Sequence, residues 1–245
     1  MFRDKWKKRY ALILIAVSLV LYVLHFLIFH DTAFIFRLMI NNLAFAPISV
    51  LFVTLFINEI MDIRNRQERI QRSYLALGTF FHEMGTELLY RLSRLDTRKE
   101  VLEEASGIDE SWQEKDFEDL KKTMASGEIC LSCGREHLAS LSALLLSEKD
   151  QIVQMLANPA LKEHDFLTDM LWSVYHLCME LLSRGDLTST TGRDLDHLEK
   201  DAERAYGLLC IEWIEYMKHL KEEYPYLFSF ASRTNPFREE RKVTL

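Results

Sequence analysis

The sequence predicts an all-α protein: an N-terminal transmembrane helical hairpin followed by a cytoplasmic helical bundle, with a long stalk helix continuous with the second span. Three observations carry this. Two long apolar runs, Ala11 to Phe29 and Leu43 to Ile57, open a chain that is otherwise rich in charge. Eight Gly and four Pro are few for 245 residues, and alternating strand patterns with hairpin turn signals do not occur. Beyond residue 62, apolar positions recur at the three- and four-residue spacing of packed helices.

The first run, 19 residues long, spans roughly the hydrocarbon thickness of a bilayer at about 1.5 Å per residue. Its rival, a secretory signal peptide, is disfavoured because the apolar stretch is too long, no small-x-small cleavage site follows, and a second run comes soon after. The second run reaches spanning length if its helix continues to about residue 61. Basic residues Arg3, Lys5, Lys7, Lys8 and Arg9 precede the first span, and Arg64, Arg66, Arg69 and Arg72 follow the second, while the connector from His30 to Asn42 holds only Arg37. Positive charge resists translocation, so the chain is expected in the cell inner membrane as a multi-pass protein with both termini cytoplasmic. The connector is itself apolar and is expected at the interface.

The expected domains are a transmembrane hairpin over 1–61 (spans about 11–29 and 43–61), a stalk helix over 62–96, a cytoplasmic helical domain over 97–237 and a tail over 238–245. Residues 1–60 carry six Lys/Arg against three Asp/Glu, which leaves the remaining 185 residues at −10 out of the total of −7. An acidic domain below an anionic leaflet binds neither nucleic acid nor, apart from the four-arginine segment, the lipid surface. All four cysteines fall in this domain and are expected as reduced thiols.

From Ile48 to Leu77 there is neither Gly nor Pro, so the second span can run unbroken into a stalk whose apolar positions are Ile63, Ile70, Tyr74, Leu77, Phe81, Met84, Leu88, Leu92 and Leu95. Such a seam packs either on its own domain or against another copy as a coiled coil. Residues 97–128, with ten acidic and five basic side chains, read as a surface helix pair interrupted at Ser106-Gly107 and Ser126-Gly127. A helix carrying Leu138, Leu141, Leu145, Ile152 and Met155 follows. It has a break near Ser147, whose hydroxyl is the expected cap for Glu148 onward, and a stop at Asn158-Pro159. The next helix is expected from about Glu163 to Arg184, with Gly185 in the stop position, and Thr188 to Gly192 as a loop. A long helix from about Asp194 to Glu223 is expected to bury Leu195, Leu198, Ala205, Leu209, Trp213, Tyr216 and Leu220 and to stop at Tyr224-Pro225. The apolar tail Tyr226 to Ala231 is expected to pack back on the bundle or into a neighbouring subunit, with Arg233 to Phe237 turning away.

The stretches FFHEMGTELL (80–89), HDFLTDMLWSVYHLCMELLSR (164–184) and YPYLFSFASRTNPF (224–237) resemble an uncharacterised group of bacterial and archaeal integral membrane proteins. The resemblance covers the second span and most of the soluble part. It implies a two-span helical protein and brings no activity, ligand or catalytic residue.

Four features could carry chemistry. Cys130-x-x-Cys133 with His137 four residues on has zinc-like local spacing, since two thiolates and an imidazole within a turn can converge on a tetrahedral ion. A complete zinc site needs a fourth ligand, for which Cys178, Cys210 or His176 would have to fold in; small apolar thiols near a helix start are the blander account. His82-Glu83-Met84-Gly85-Thr86-Glu87-Leu88 is similar to the phosphoacceptor box of sensor histidine kinases. Glu87 stands where such boxes carry proline, and Gly-rich ATP-binding motifs do not occur, which excludes autophosphorylation. A di-iron cluster could draw on Glu83, Glu87, Asp169, His176, Glu180, Asp194 and His197. It would need two carboxylate-x-x-His pairs on facing helices, and only Asp194 to His197 has that spacing. An oligomer could line a pore with Ser49 and Thr54, below Pro47, but neither span has a central ionisable residue.

The sequence therefore points to a membrane-anchored helical protein whose acidic cytoplasmic domain serves assembly or partner binding. The expected partners are the lipid bilayer, further copies in a homo-oligomer, and a protein. The first alternative is an oligomeric channel or sensor using the second span and stalk. The second is a metal-dependent enzyme with zinc at Cys130, Cys133 and His137. An enzyme is the less favoured class.

Overall fold

A computed structural model describes residues 2–127, 129–158, 161, 165–185, 187 and 190–238. Among them every named element is helical, and Asp96 and Leu131 form one isolated antiparallel bridge. The chain divides into two compact units, Met1–Asn65 and Arg66–Leu245. Pro159, Glu163, Thr188 and the tail beyond 238 lie outside the described residues.

The first unit holds α1 (Phe2–Phe29) and the start of α2 (Thr32–Phe80), within which the division falls. The connector is much shorter than the expected His30–Asn42. His30 adopts φ +51°, and Asp31 Oδ1 accepts the Phe34 N–H at 2.9 Å, an N-cap that starts α2 at once. Once capped, the helix takes in the apolar residues from Phe34 to Ile40 rather than leaving them as a connector. Pro47 sits inside α2, where it removes one N–H from the ladder without ending the helix.

In the second unit, the end of α2 enters the core. A π turn over Phe81–Gly85 leads into α3 (Thr86–Ser93), and the Phe81 carbonyl accepts both the Thr86 N–H and, at 2.7 Å, the Thr86 hydroxyl. Of the expected seam, Ile63 and Ile70 are exposed, whereas Leu77, Phe81, Met84, Leu88 and Leu92 are buried. Tyr74 stacks on His219 with ring centroids 3.7 Å apart, and Phe81 on Tyr216 at 5.4 Å. From Leu77 onward the seam is therefore an intramolecular face rather than a coiled coil between copies.

The acidic surface pair is α4 (Lys99–Ser106) and α5 (Glu114–Ser126). After it come α6 (Arg135–Ser147) and α7 (Lys149–Leu156), where the Ser147 hydroxyl donates back to the Leu144 carbonyl at 2.8 Å and caps nothing on α7. α8 (Asp165–Arg184) ends at Gly185, whose φ of +63° is the left-handed conformation that glycine adopts freely. α9 (Gly192–Glu223) starts from Thr191, whose hydroxyl accepts the Asp194 N–H. It is the axis of the domain. α3, α5, α8 and α10 (Pro225–Arg233) all pack on it, and Leu198, Ala202, Ala205, Tyr206, Leu209, Trp213, Ile214 and Met217 are buried along it.

Polar contacts fasten α5 to α9. Lys218 reaches Glu114 at 2.9 Å and Glu118 at 3.0 Å, and Lys121 pairs with Glu215. The segment after α10 turns inward, contrary to expectation. Asn235 is fully buried, donates to the Ala105 carbonyl at 2.8 Å and accepts the Phe237 N–H at 2.9 Å, while Phe237 packs edge-on against Trp213. The carbonyls at the end of α4 need donors, and Asn235 and Arg238 supply them.

A Cβ on Gly85 would lie 2.5 Å from Phe80 Cε1 and 2.8 Å from Phe81 Cδ1, two buried rings with no room to retreat. Gly85→Ala should cost about 1–3 kcal/mol in urea unfolding of the detergent-purified chain. Gly192→Ala, whose Cβ meets nothing within 4 Å, should be neutral or stabilise by up to about 1 kcal/mol.

Glu212, 2% exposed, is pushed up to about 7 by burial and by Glu215. A carboxyl raised in the folded state stabilises it fully below its unfolded value of 4.5, and that contribution is lost as pH rises towards 7. The loss amounts to about 3 kcal/mol. Glu212→Gln should flatten the fall in stability between pH 5 and 8 relative to the unaltered chain, as measured by urea unfolding across that range.

Candidate functional site

α8 and α9 form the most extensive helix pair in the domain, and each presents a histidine and a carboxylate four residues apart: His176 and Glu180 on α8, His197 and Asp201 on α9. Positions i and i+4 share one helix face, so the two pairs meet across the interface. His176 Nε2 and His197 Nε2 each lie 3.4 Å from Asp201 Oδ2, and His197 Nε2 is 3.7 Å from Glu180 Oε2. The Glu180, His197 and Asp201 ligand atoms all fall within 4.8 Å of one another.

The surroundings are asymmetric. The Asp201 side chain is 3% exposed at the base of the cluster, and its Oδ2 accepts no hydrogen bond, whereas both histidines stand half-exposed at the rim. Arg184 donates to Glu180 Oε2 at 2.5 Å and holds that carboxyl below its ordinary value. Arg204, mostly exposed, stands 3.8 Å from the other Asp201 oxygen.

The other candidate residues are placed elsewhere. Cys130, exposed, accepts the Thr97 N–H and hydroxyl through its carbonyl. The Cys133 N–H donates to Glu199 at 3.0 Å, and Leu131 N–H to Glu203 at 3.1 Å, which straps this segment to α9. Burial, with Glu199 and Glu203 nearby, pushes the Cys133 thiol up to about 12. His137 Nδ1 accepts the Gly134 N–H at 3.2 Å. Among the described residues, the ligand atoms that converge are those of Glu180, His197 and Asp201, not those of Cys130, Cys133 and His137.

Cys178 and Cys210 are buried. His82 and Glu83 lie exposed on the π turn. Glu87 pairs with Arg91 at 2.8 Å, Asp169 is exposed, and Asp194 accepts the Thr191 hydroxyl at 2.5 Å at the start of α9. Of the seven di-iron candidates, His176, Glu180 and His197 come together. Asp201, which completes the cluster, was missed because the pattern sought was carboxylate-x-x-His; a search for i, i+4 pairs repeated on two adjacent helices would have found it.

The fold and cluster define a class: an all-helical domain, preceded by two long apolar helices, with a histidine–carboxylate cluster between its two longest described helices. The chain belongs to the MJ1433 family. Residues 2–61 match its N-terminal helical domain and residues 69–233 its C-terminal helical domain, and the gap between the matches brackets the division at Asn65. Uncharacterized protein MJ1433 of Methanocaldococcus jannaschii is 37% identical over 234 residues, covering 94% of each chain. No solved structure matches the chain.

An exposed thiol and a half-buried one of raised pKa should differ in reactivity. At pH 8, iodoacetamide should modify Cys130 in the folded protein and leave Cys133 unmodified until denaturant is added, as read by peptide mass spectrometry.

Proposed function

We propose that the chain is anchored in the cytoplasmic membrane by α1 and the first part of α2, and that the domain from Arg66 onward is an assembly module on the cytoplasmic side. The observation that carries the anchor is exposure. The apolar window Leu12–Phe29 has a mean hydropathy of 2.8, and that in the helix starting at Thr32 has 2.0, yet 0% of either is buried. A core helix of a soluble domain would bury such side chains; a bilayer supplies the apolar medium these lack. The basic flanks, Arg3 to Arg9 and Arg64 to Arg72, support placing both ends in the cytoplasm.

Assembly is supported by apolar side chains that the domain leaves in water. Phe166 and Trp172 on α8 and Tyr226, Leu227 and Phe230 on α10 are exposed. The expected occupant of these faces is a second copy, with another protein as the competing occupant. A sensor is the second reading, favoured by α2 itself, a single helix from Thr32 to Phe80 whose last turns belong to the domain core.

The full-length chain should stay in the membrane through carbonate extraction. A cysteine introduced at Thr32 should react with an impermeant thiol reagent from outside, while a reporter fused after Leu245 reads as cytoplasmic. Release by carbonate would contradict the anchor. In detergent the chain should run as an oligomer that Trp172→Glu combined with Tyr226→Glu dissociates, and a monomeric mass for the unaltered chain would contradict self-assembly.

A further inference from the structure

We propose that Glu180, His197 and Asp201 form a binding site for a divalent transition metal of the zinc class, with His176 in reach of the fourth ligand position. The first support is spacing. Metal–ligand distances of about 2.0–2.2 Å put the donor atoms of a tetrahedral site about 3.3–3.6 Å apart. The Nε2-to-oxygen separations are 3.4 Å (His176 to Asp201) and 3.7 Å (His197 to Glu180) across α8 and α9, and 3.4 Å within α9 (His197 to Asp201). The second is the donor set. Imidazole nitrogen with carboxylate oxygen suits zinc and its neighbours among the divalent ions, whereas calcium and magnesium select oxygen alone.

The third support is the Asp201 carboxylate. It is 97% buried, and its Oδ2 accepts no hydrogen bond, yet that oxygen faces both histidine Nε2 atoms. A buried carboxylate oxygen without a donor is costly unless a cation serves it. The flanking arginines leave that oxygen alone: Arg184 engages Glu180, and Arg204 approaches the other Asp201 oxygen from solvent at 3.8 Å. Arg184 donates to Glu180 Oε2, the oxygen that also faces His197, and so orients that carboxylate while sharing the oxygen nearest the site.

The site lies just below the connection between α8 and α9, so a bound ion would cross-link the two helices on which the core is built. Its residues are distinct from Cys130, Cys133 and His137 and all belong to the second unit.

The test titrates the full-length, detergent-purified, chelator-stripped protein with Co2+, followed by its visible absorption, and with Zn2+, followed by calorimetry and melting temperature. The expected result is one equivalent of either ion, a Co2+ spectrum of tetrahedral intensity and a rise in melting temperature. Asp201→Asn and His197→Ala should each weaken binding at least about 100-fold, with helical circular dichroism unchanged. Because the His197 side chain is 55% exposed, its removal leaves folding intact even if the Asp201 variant fails to fold. Cys130→Ser with Cys133→Ser should bind as the unaltered chain does. Binding that survives His197→Ala and is lost with the two serines would overturn the proposal, as would no binding at millimolar ion.

Discussion

The burial of one long helix, α9, is the constraint on which the rest of the domain depends. Hydrophobic side chains line it from Leu198 to Leu220, on a face too wide for a single partner to cover. An amphipathic surface helix buries one stripe, and a helix buried over a wider arc must be enclosed from several sides. α3, α5, α8 and α10 all pack on it, α8 beside its start, where His176 meets Asp201, and α5 further on, where Lys121 meets Glu215. The π turn at Phe81–Gly85 belongs to the same requirement, since it shifts the register between α2 and α3 where Phe80, Phe81 and Met84 all reach the core.

Two buried carboxyls lie along this helix with different consequences. Asp201 near its start gathers histidines from both helices, while Glu212 further along meets another carboxylate, Glu215, and burial raises its pKa to about 7. Buried polar groups without full partners cost stability, so their retention in an otherwise apolar face points to a use or to a tolerated expense. At Asp201 the neighbours are groups able to ligate a metal. Glu212 belongs to no such group among the described residues, and its raised pKa makes stability depend on pH.

The helices of the second unit were legible where periodicity and stop signals agreed. α8 ends at Arg184 with Gly185 in the stop position, α9 ends at Glu223 before Tyr224-Pro225, and the break between α6 and α7 falls at Ser147-Glu148. Non-local contacts were not legible. Nothing in Arg-Thr-Asn-Pro-Phe announces that Asn235 will seek the carbonyl of Ala105, 130 residues away. α2 starts earlier than the expected second span because Arg37 and the break between the two apolar runs read as a connector over His30 to Asn42, whereas the cap at Asp31 starts the helix at once. In the cluster, three of four members were named from composition. The fourth, Asp201, required knowing that α8 and α9 are neighbours and that the operative spacing is four.

Native-state hydrogen exchange on the full chain in detergent micelles reads the central claim that α9 is the axis of the domain. Amides from Ala205 to Met217 should exchange only through global unfolding, while those of α4, with a single buried side chain at Ala105, should open locally and exchange far faster. Exchange of the middle of α9 at the rate of α4 would contradict the account.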